Sequence, residues 1–304
     1  MIFSPNFLKN ILKYFFHNIL KSNAVDLHLL NNSNNNMSIF RNKVVVITGG
    51  SDGIGKALVD AFLDMGAKVA TCGRNYDKLY QLQSIHAGKP LFIHTADVSI
   101  EQECERFINA TIKNFSTIDI LINNAGISMR ALFTDVETMA LKRVMDINFW
   151  GAVYCTKFAL PYILKNKGTI TGISSVAGYR GLPGRTGYSA SKFALNGWME
   201  ALRTELLESG VNVMWVCPGF TASNIRNAAL NQKGEAHGET SMDEGSMMSS
   251  EECARHIIEA IEKRKRTIVL TTTGKKTVYL NRFFPAIADK LVRKFFYKNG
   301  ALIK

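Results

Sequence analysis

The residues with the clearest chemical potential are a tyrosine and a lysine four positions apart, Tyr188 and Lys192. The run Ala190–Glu208 has a helical pattern, so both side chains project from the same face of one helix. A free tyrosine titrates near about 10, and a nearby ammonium group favours the phenolate and moves this pKa toward the working range of an acid/base. Ser175 follows an apolar run earlier in the chain, where its hydroxyl could bind and polarise a substrate oxygen.

Each of these residues also has an ordinary structural interpretation. A tyrosine and a lysine one helical turn apart are common, and a serine after a strand is often only a cap or turn residue. Taken singly, none of the three assigns a function. Whether Tyr188, Lys192 and Ser175 form a catalytic set therefore depends on whether the fold brings them close together.

The pattern of the chain from Arg41 onward predicts an α/β fold. Short β-branched runs alternate with helical segments, which is typical of a Rossmann-type, doubly wound parallel sheet, here of about seven strands in three layers. Ligands of such sheets bind at the carboxyl ends of the strands. The predicted strands are Lys43–Thr48, Ala67–Cys72, Leu91–Thr95, Ile118–Asn123, Gly168–Ser174, Val211–Cys217 and Thr267–Thr271, with helices near 54–65, 76–86, 100–115, 136–164, 187–208 and 250–263.

The turn after the first predicted strand is rich in glycine and runs from Thr48 to Gly55 as T-G-G-S-D-G-I-G. Gly49 permits a tight turn, and Gly53 and Gly55 let a pyrophosphate approach the start of the next helix. The free N–H groups and the positive dipole end of that helix favour phosphate. A glycine-rich turn alone is a weak signal, but its place between a strand and a helix near the chain start favours a nucleotide site.

The same motifs resemble the single-domain branch of the short-chain dehydrogenase/reductase family. The glycine spacing, the run Asn123-Asn124-Ala125-Gly126, Asn148, Ser175, Tyr188-x-x-x-Lys192 and Pro218-Gly219 occur in the family's order over about residues 41–271. The resemblance implies an NADP(H)-dependent oxidoreductase that interconverts a ketone and a secondary alcohol. It implies Tyr188 as acid/base, Lys192 lowering its pKa, Ser175 polarising the substrate oxygen, and Asn148 anchoring a water of the proton relay.

The end of the second strand predicts the choice between NADP(H) and NAD(H). Enzymes selective for NAD usually carry an acidic residue there, which accepts hydrogen bonds from the ribose 2′-hydroxyl. Here the position is Gly73, followed by Arg74 and Asn75, and an arginine suits a 2′-phosphate. Asp52 in the first turn is a departure, because some NADP-selective relatives carry a basic residue there. NADP(H) is therefore predicted in preference to NAD(H).

Further cofactor contacts are implied by the resemblance. Asp97 and Val98 would cap the adenine, the Asn-Asn-Ala-Gly run would hold the fourth strand against the cofactor, and Ser223 stands where relatives usually have a threonine that binds the nicotinamide amide. The full predicted set is Gly49, Ser51, Asp52, Gly53, Ile54, Gly55, Arg74, Asn75, Asp97, Val98, Asn124, Ala125, Gly126, Tyr188, Lys192, Pro218, Gly219 and Ser223. No metal site is predicted, because the five cysteines are scattered and form no C-x-x-C pair.

The charge of the chain is concentrated in its tail. The net charge is +12, of which residues 263–304 carry +11 with twelve Lys or Arg and one Asp. The predicted catalytic body is close to neutral, which argues against nucleic acid as a partner. After Pro285 an apolar stripe flanked by basic residues predicts an amphipathic helix. Residues 282–298 could contact a membrane surface, or the helix could pack on its own domain or on a second subunit.

Three segments are predicted along the chain: a disordered leader or over-extended start at 1–36, a catalytic domain at 37–273 and a basic amphipathic tail at 274–304. The leader is too short and too polar to span a bilayer and lacks a secretory cleavage site. These features predict a cytoplasmic protein, with peripheral contact at a membrane surface as an option.

The long loop at 219–250 indicates the substrate. It contains Met242, Met247 and Met248, and together with Met129, Leu132 and Phe133 it suggests an apolar or lipid-like ketone. Ordinary loop and core roles for these residues remain equally open. By resemblance, the helices at 136–164 and 187–208 would form a homodimer or homotetramer.

Two other functions were weighed against the oxidoreductase. A non-catalytic NADP(H)-binding regulatory protein could share the fold, although such proteins typically lack the tyrosine or the lysine. An epimerase or dehydratase of the longer branch of the family would have another glycine spacing and a larger C-terminal region. The intact pair of Tyr188 and Lys192 favours the oxidoreductase.

Overall fold

Apolar runs of the sequence form one parallel sheet at the centre of the molecule. The structure, a computed structural model, describes residues 38–222, 224–226, 228–236 and 247–303, and within these the sheet has seven strands in the order β3-β2-β1-β4-β5-β6-β7. The strands are β1 Val44–Thr48, β2 Lys68–Gly73, β3 Leu91–Thr95, β4 Ile120–Asn123, β5 Thr169–Ile173, β6 Asn212–Cys217 and β7 Thr267–Val269. The predicted α/β fold with about seven strands is confirmed.

The middle of the sheet is apolar on both faces, as parallel sheets require. β1 lies between β2 and β4, with Val46 opposite Ala70 on one side and Leu121 on the other. All five residues of β1 are buried. The order reverses beside β1, so the carboxyl ends of β1 and β4 flank the crevice where such sheets bind ligands.

Helices cover both faces of the sheet, which gives the three predicted layers. They are α1 Gly53–Asp64, α2 Tyr76–Ile85, α3 Glu101–Phe115, α4 Thr138–Met145, α5 Gly151–Asn166, α6 Thr186–Glu205, α7 Ser250–Glu262, α8 Thr272–Phe283 and α9 Pro285–Phe296. One core cluster joins Phe62 of α1 to Ile257 of α7, and the other joins Phe107 of α3 to Leu195 of α6. Burying each such side chain contributes about 1.5–3 kcal/mol to stability.

The helix predicted at 136–164 differs in one respect from the structure. α4 and α5 are continuous, but the segment between them, Asp146–Trp150, is a single π-helical turn. Such turns contain an extra residue and often occur at functional sites. Asn148 is in the middle of this turn and is buried.

The basic tail packs on its own domain, which was one of the interpretations that the sequence left open. Arg180 forms an ion pair of 2.6 Å with Asp289 of α9 and donates a hydrogen bond of 2.9 Å to Asn281 of α8. Phe296 of α9 is 2% exposed and lies against Arg185, whose Cζ is 5.7 Å from the ring centre. The tail is thus fixed beside the start of α6.

The apolar stripe of the tail is only partly covered by this packing. Ala288 and Phe296 face the domain, whereas Ile287, Leu291 and Phe295 are exposed, at 41% or more. Across the described part of the chain, no helix is both long enough and apolar enough to cross a membrane. The predicted leader at 1–36 lies outside the described residues.

Candidate active site

A cleft of about 800 Å³ runs along the carboxyl ends of the strands. The structure brings nearly all of the sequence-predicted site residues to its walls. Asn148 is buried behind the cleft, and Ser223 lies outside the described residues. The predicted residues that line the cleft are Gly49, Ser51, Asp52, Gly53, Ile54, Gly55, Arg74, Asn75, Asp97, Val98, Asn124, Ala125, Gly126, Ser175, Tyr188, Lys192, Pro218 and Gly219.

The glycine-rich turn has the backbone that its sequence requires. Gly49 has φ +70°, a left-handed conformation that favours glycine. A Cβ added to Gly55 would lie 2.1 Å from the carbonyl oxygen of Gly49, so this close approach excludes any side chain. The side chain of Asp52, the N-cap residue of α1, makes no capping hydrogen bond, which leaves N–H groups of the first turn for a ligand. The turn therefore fits a pyrophosphate.

The loop after β4 is tied directly to this turn. The side-chain amide of Asn124 donates hydrogen bonds to the carbonyl oxygens of Thr48 and Gly49, at 2.9 and 3.1 Å. The Thr48 hydroxyl in turn accepts from the backbone N–H groups of Asn124 and Ala125, both at 3.0 Å. These bonds hold the two sides of the crevice at a fixed separation.

The end of the cleft beside β2, where the resemblance implies the adenine, carries two basic side chains, Arg74 and Lys78. Lys78 forms an ion pair of 2.7 Å with Asp52. The lysine thereby compensates the negative charge of Asp52, the residue that departs from the pattern of NADP-selective relatives. Asn75 caps α2 by accepting a hydrogen bond of 2.9 Å from the backbone N–H of Lys78. Sequence reasoning missed Lys78; the available signal was its position four residues after Arg74, in the first turn of the next helix.

Asp97 is fixed by bonds on both sides. Its carboxylate accepts hydrogen bonds from the backbone N–H and the hydroxyl of Ser99, at 3.0 and 2.7 Å. Its own N–H donates to Glu103 at 2.7 Å. Val98 beside it packs on Gly151, where an added Cβ would lie 2.8 Å from a Val98 methyl. Both residues are held rigidly at the cleft wall.

Tyr188 and Ser175 meet at the opposite end of the cleft. The hydroxyls of Tyr188 and Ser175 are close enough for Ser175 to lower the pKa of Tyr188. Ser175 follows β5 and also caps a short 3-10 turn by accepting from the N–H of Ala177 at 3.1 Å. The cap interpretation and the site interpretation of Ser175 therefore both fit. Ser174 is buried beside it.

Lys192 lies beneath Tyr188 and is nearly out of contact with water. It is 3% exposed, and its Nζ donates a hydrogen bond of 2.8 Å to the carbonyl oxygen of Ile173 at the end of β5. The Nζ is 5.7 Å from the centre of the Tyr188 ring. Both side chains project from α6 to one side, as their spacing predicts.

Burial acts on both titratable groups. Burial raises the pKa of Tyr188, while the hydrogen bond with Ser175 and the positive charge of Arg185 lower it. Burial lowers the pKa of Lys192 to about 8, because the ammonium loses hydration. Arg185 as a cation acting on Tyr188 was missed by sequence reasoning; its position three residues before the tyrosine was the available signal.

Asn148 joins the π-helical turn to the loop after β4. Its side chain accepts a hydrogen bond from the N–H of Ile127 at 2.8 Å and donates to the Ile127 carbonyl oxygen at 2.9 Å. It also donates to the hydroxyl of Ser191 at 2.9 Å, next to Lys192 on α6. The turn thus places Asn148 where it ties the loop to the helix that carries the lysine.

The apolar wall of the cleft differs from the one expected. The expected residues Met129, Leu132, Phe133, Met247 and Met248 do not line it, and Met242 lies outside the described residues. Met129 is fully buried and Met248 packs on the core, which favours their ordinary core roles. The apolar side chains that line the substrate end are instead Leu182, Phe220, Ile225, Leu280, Ala288, Leu291, Val292, Phe295 and Phe296. Most of them belong to the tail.

Comparisons with known proteins agree with this geometry. A family model described as short chain dehydrogenase matches residues 43–234. Dehydrogenase/reductase SDR family member 7B of Mus musculus is 32% identical over 260 residues, which cover 83% of this chain and 80% of that protein. 11-beta-hydroxysteroid dehydrogenase-like 6 of Arabidopsis thaliana is 36% identical over 237 residues, covering 75% of this chain and 69% of that protein.

A solved structure has the same fold. The crystal structure of a short chain dehydrogenase/reductase from Burkholderia phymatum in complex with NAD aligns with a TM-score of 0.74 at 22% identity. The alignment covers 82% of this chain and 95% of that one.

Gly55→Ala tests whether the glycine turn holds a dinucleotide. The added Cβ would displace the backbone of Gly49, so we expect at least about tenfold weaker binding of NADPH and NADH and a lower melting temperature. Gly197→Ala on α6 is the matched control, because no atom lies within 4 Å of its added Cβ. The control should leave binding unchanged and stabilise the helix by up to about 1 kcal/mol. Wild-type affinity in Gly55→Ala, measured by calorimetry, would contradict the assignment.

Proposed function

Because this chain belongs to the short-chain dehydrogenase/reductase family, whose members are oxidoreductases acting on CH–OH groups, we propose that it interconverts an apolar ketone and a secondary alcohol with NADP(H). The observation that carries the proposal is that Tyr188 lies close to both Ser175 and the buried Lys192. The nicotinamide ring of the bound cofactor would supply or accept the hydride.

In this proposal Tyr188 moves the proton. Ser175 binds the substrate oxygen, and Tyr188 donates its proton to that oxygen in reduction and takes it back in oxidation. The raised pKa of Tyr188 keeps it protonated, as an acid must be. Lys192, with a pKa of about 8, is positively charged over much of the neutral range and stabilises the phenolate that remains.

Asn148 and Ser191 would continue the proton path and hold its geometry. Their hydrogen bonds support this role because they fix the loop after β4 against α6 beside Lys192. We also assign binding of the nicotinamide ribose to Lys192 and contact with the nicotinamide amide to Ser223, as the family resemblance implies.

Tyr188→Phe tests the reaction. We expect NADPH oxidation with one class in a panel of ketones, from small carbonyls through steroids to long-chain oxo lipids, and a loss of at least about 100-fold in the variant. NADPH affinity should remain, and Tyr154→Phe, whose ring lies outside the cleft, should react normally. Turnover that survives in Tyr188→Phe would contradict the role. Tight NADPH binding without turnover of any ketone would instead favour a non-catalytic regulatory protein.

The preference for NADP(H) over NAD(H) rests on the two cations of the adenine end. Arg74 follows β2 where an acid would bind a ribose 2′-hydroxyl, and Lys78 pairs with the nearby Asp52. A guanidinium group binds phosphate in a fork, whereas it gains little from a hydroxyl. This arrangement supports a site for the 2′-phosphate.

Arg74→Gln tests the preference. The dissociation constant for NADPH should rise by about 10-fold to 100-fold, since a charge-assisted hydrogen bond is lost, while that for NADH stays constant. Arg255→Gln is the control, because Arg255 is an exposed arginine of α7 that does not line the cleft. An equal loss for both cofactors would mean that Arg74 does not bind the phosphate.

We further propose that the tail binds a membrane surface, which places the enzyme at the periphery of a bilayer from the cytoplasmic side. Phe283, Phe284 and Ile287 are 56%, 49% and 51% exposed, and basic residues of the tail surround them. Leu291 and Phe295 are exposed and also line the cleft, so a lipid-like ketone could reach the site from the bilayer. The charge of the tail suits anionic lipid.

Vesicle flotation tests the membrane proposal. The full-length protein should float with anionic vesicles, and the triple variant Phe283→Ser, Phe284→Ser and Ile287→Ser should bind at least about tenfold more weakly, because the buried apolar area is lost. Leu207→Ser, which removes a 71% exposed apolar side chain elsewhere on the surface, should float normally. Equal flotation of the triple variant, or no flotation of the wild type, would contradict the proposal.

A homodimer through α5 and α6 completes the proposal. Trp150, Leu164 and Phe193, which lie in or next to these helices, are 37–46% exposed, and aromatic side chains are enriched in interfaces. Sedimentation velocity checks this assembly, and a monomer at micromolar concentration would contradict it.

A further inference from the structure

Arg185 occupies an unusual position next to the proposed catalytic tyrosine. It precedes α6 and lies one helical turn before Tyr188, and its side chain lines the same cleft. Its guanidinium Cζ is 5.7 Å from the ring of Phe296, and its Nε is buried without a hydrogen-bond partner. A buried polar atom without a partner is rare and calls for a ligand or another explanation.

Within the described part of the chain, no carboxylate forms an ion pair with the Arg185 guanidinium. Burial lowers the pKa of Arg185, Tyr188 raises it, and the positive charges of Arg130 and Arg226 lower it further. Holding a cation partly out of water costs stability.

Apolar side chains line much of the cleft near the tail, together with polar ones such as Thr273, Lys276 and Thr277. Phe220 and Phe295 stack at 6.0 Å between ring centres, and Leu182, Leu291 and Val292 complete the wall. A ligand that satisfies both parts of this surface needs an apolar body and a negative group.

We propose that Arg185 binds an anionic group of the substrate, so that the substrate is an apolar oxo or hydroxy compound carrying a carboxylate or another oxyanion near the reacting carbon. A guanidinium binds such groups in a fork. Arg185 and Tyr188 act on each other's pKa, so the negative group would lie near the carbonyl carbon. The inference rests on the proposed function, whose substrate it narrows.

The test compares three probes that share one apolar chain: dodecanoate, dodecyl phosphate and dodecanol. Each is titrated into the full-length protein saturated with NADPH, and binding is followed by calorimetry. At least one anionic probe should bind about tenfold or more tightly than dodecanol, and the ratio between the two anions tells carboxylate from phosphate. Equal affinity for all three would overturn the proposal.

Variants assign the preference to Arg185. Arg185→Gln should reduce the affinity for the anionic probe by about 10-fold to 100-fold and leave dodecanol unchanged. Arg293→Gln is the matched control: Arg293 is an exposed arginine of the same basic tail, outside the cleft, and the variant should keep the preference. A preference that survives Arg185→Gln, or that falls equally in Arg293→Gln, would overturn the proposal.

Two further variants separate ligand binding from support of the tail. Phe296→Leu removes the ring against Arg185 but keeps the cation, so it should keep the anion preference. Arg185→Lys keeps the charge but loses the fork, and an intermediate affinity is expected. Loss of the preference in Phe296→Leu to the level of Arg185→Gln would mean that the arginine only supports the tail.

The readout is binding, so it is independent of the proposed chemistry. Tyr188→Phe should bind the anionic probe as the wild type does. If no ketone is turned over but the anionic probe still binds more tightly than dodecanol, the proposed reaction is wrong and the anion site stands. If ketones are turned over but the anionic probe binds no more tightly than dodecanol, the anion site is wrong.

Discussion

A lysine ammonium held away from water is the constraint on which the active site depends. The Nζ of Lys192 has a backbone carbonyl as its hydrogen-bond acceptor, that of Ile173, and burial lowers its pKa to about 8. The carbonyl is at the end of β5, so the strand must stop there and leave it free. A Cβ added to Gly126 would lie 3.1 Å from the Asn148 side-chain oxygen and 3.5 Å from the Nζ, so the loop after β4 passes close to both side chains. The end of β5, helix α6 and the loop after β4 therefore all lie next to the Lys192 ammonium group.

Much of this arrangement could be predicted, because strands and helix faces are encoded by residues that lie close together in the sequence. Continuous apolar runs of β-branched residues gave the strands, although Ile118–Asn123 and Thr267–Thr271 are shorter in the structure, where their ends lie in turns. The Tyr188 and Lys192 spacing placed both on one helix face. The π-helical turn at Asp146–Trp150 has no glycine or proline to mark it, and it arises because the Asn148 side chain pairs with the distant loop at Ile127. Such long-range hydrogen bonds leave no periodic pattern in a sequence.

The tail shows the limit of reasoning from amphipathic patterns. An apolar stripe indicates that a helix needs a partner but does not identify the partner. The ion pair of Arg180 with Asp289 and the burial of Phe296 turn one part of the stripe onto the domain. The same packing makes α9 a wall of the cleft, a role that the methionines of the long loop were expected to have. The tail therefore joins the site to the outer surface of the protein.

The stability of the cofactor-free protein against pH, compared with Lys192→Met, tests the constraint on Lys192 most directly. The unfolded chain holds the lysine proton up to pH about 10.5 and the folded one up to about 8, so between these values the unfolded state binds more protons and wild-type stability rises with pH. Below about pH 8 Lys192 is charged in both states, and burying its charged form costs the folded protein about 3 kcal/mol. Loss of the hydrogen bond to Ile173 in the variant costs about 1 kcal/mol. We therefore expect Lys192→Met to be more stable than the wild type by about 2 kcal/mol near pH 7 and to lose that advantage toward about pH 10. A difference between the two proteins that does not change with pH would contradict the account.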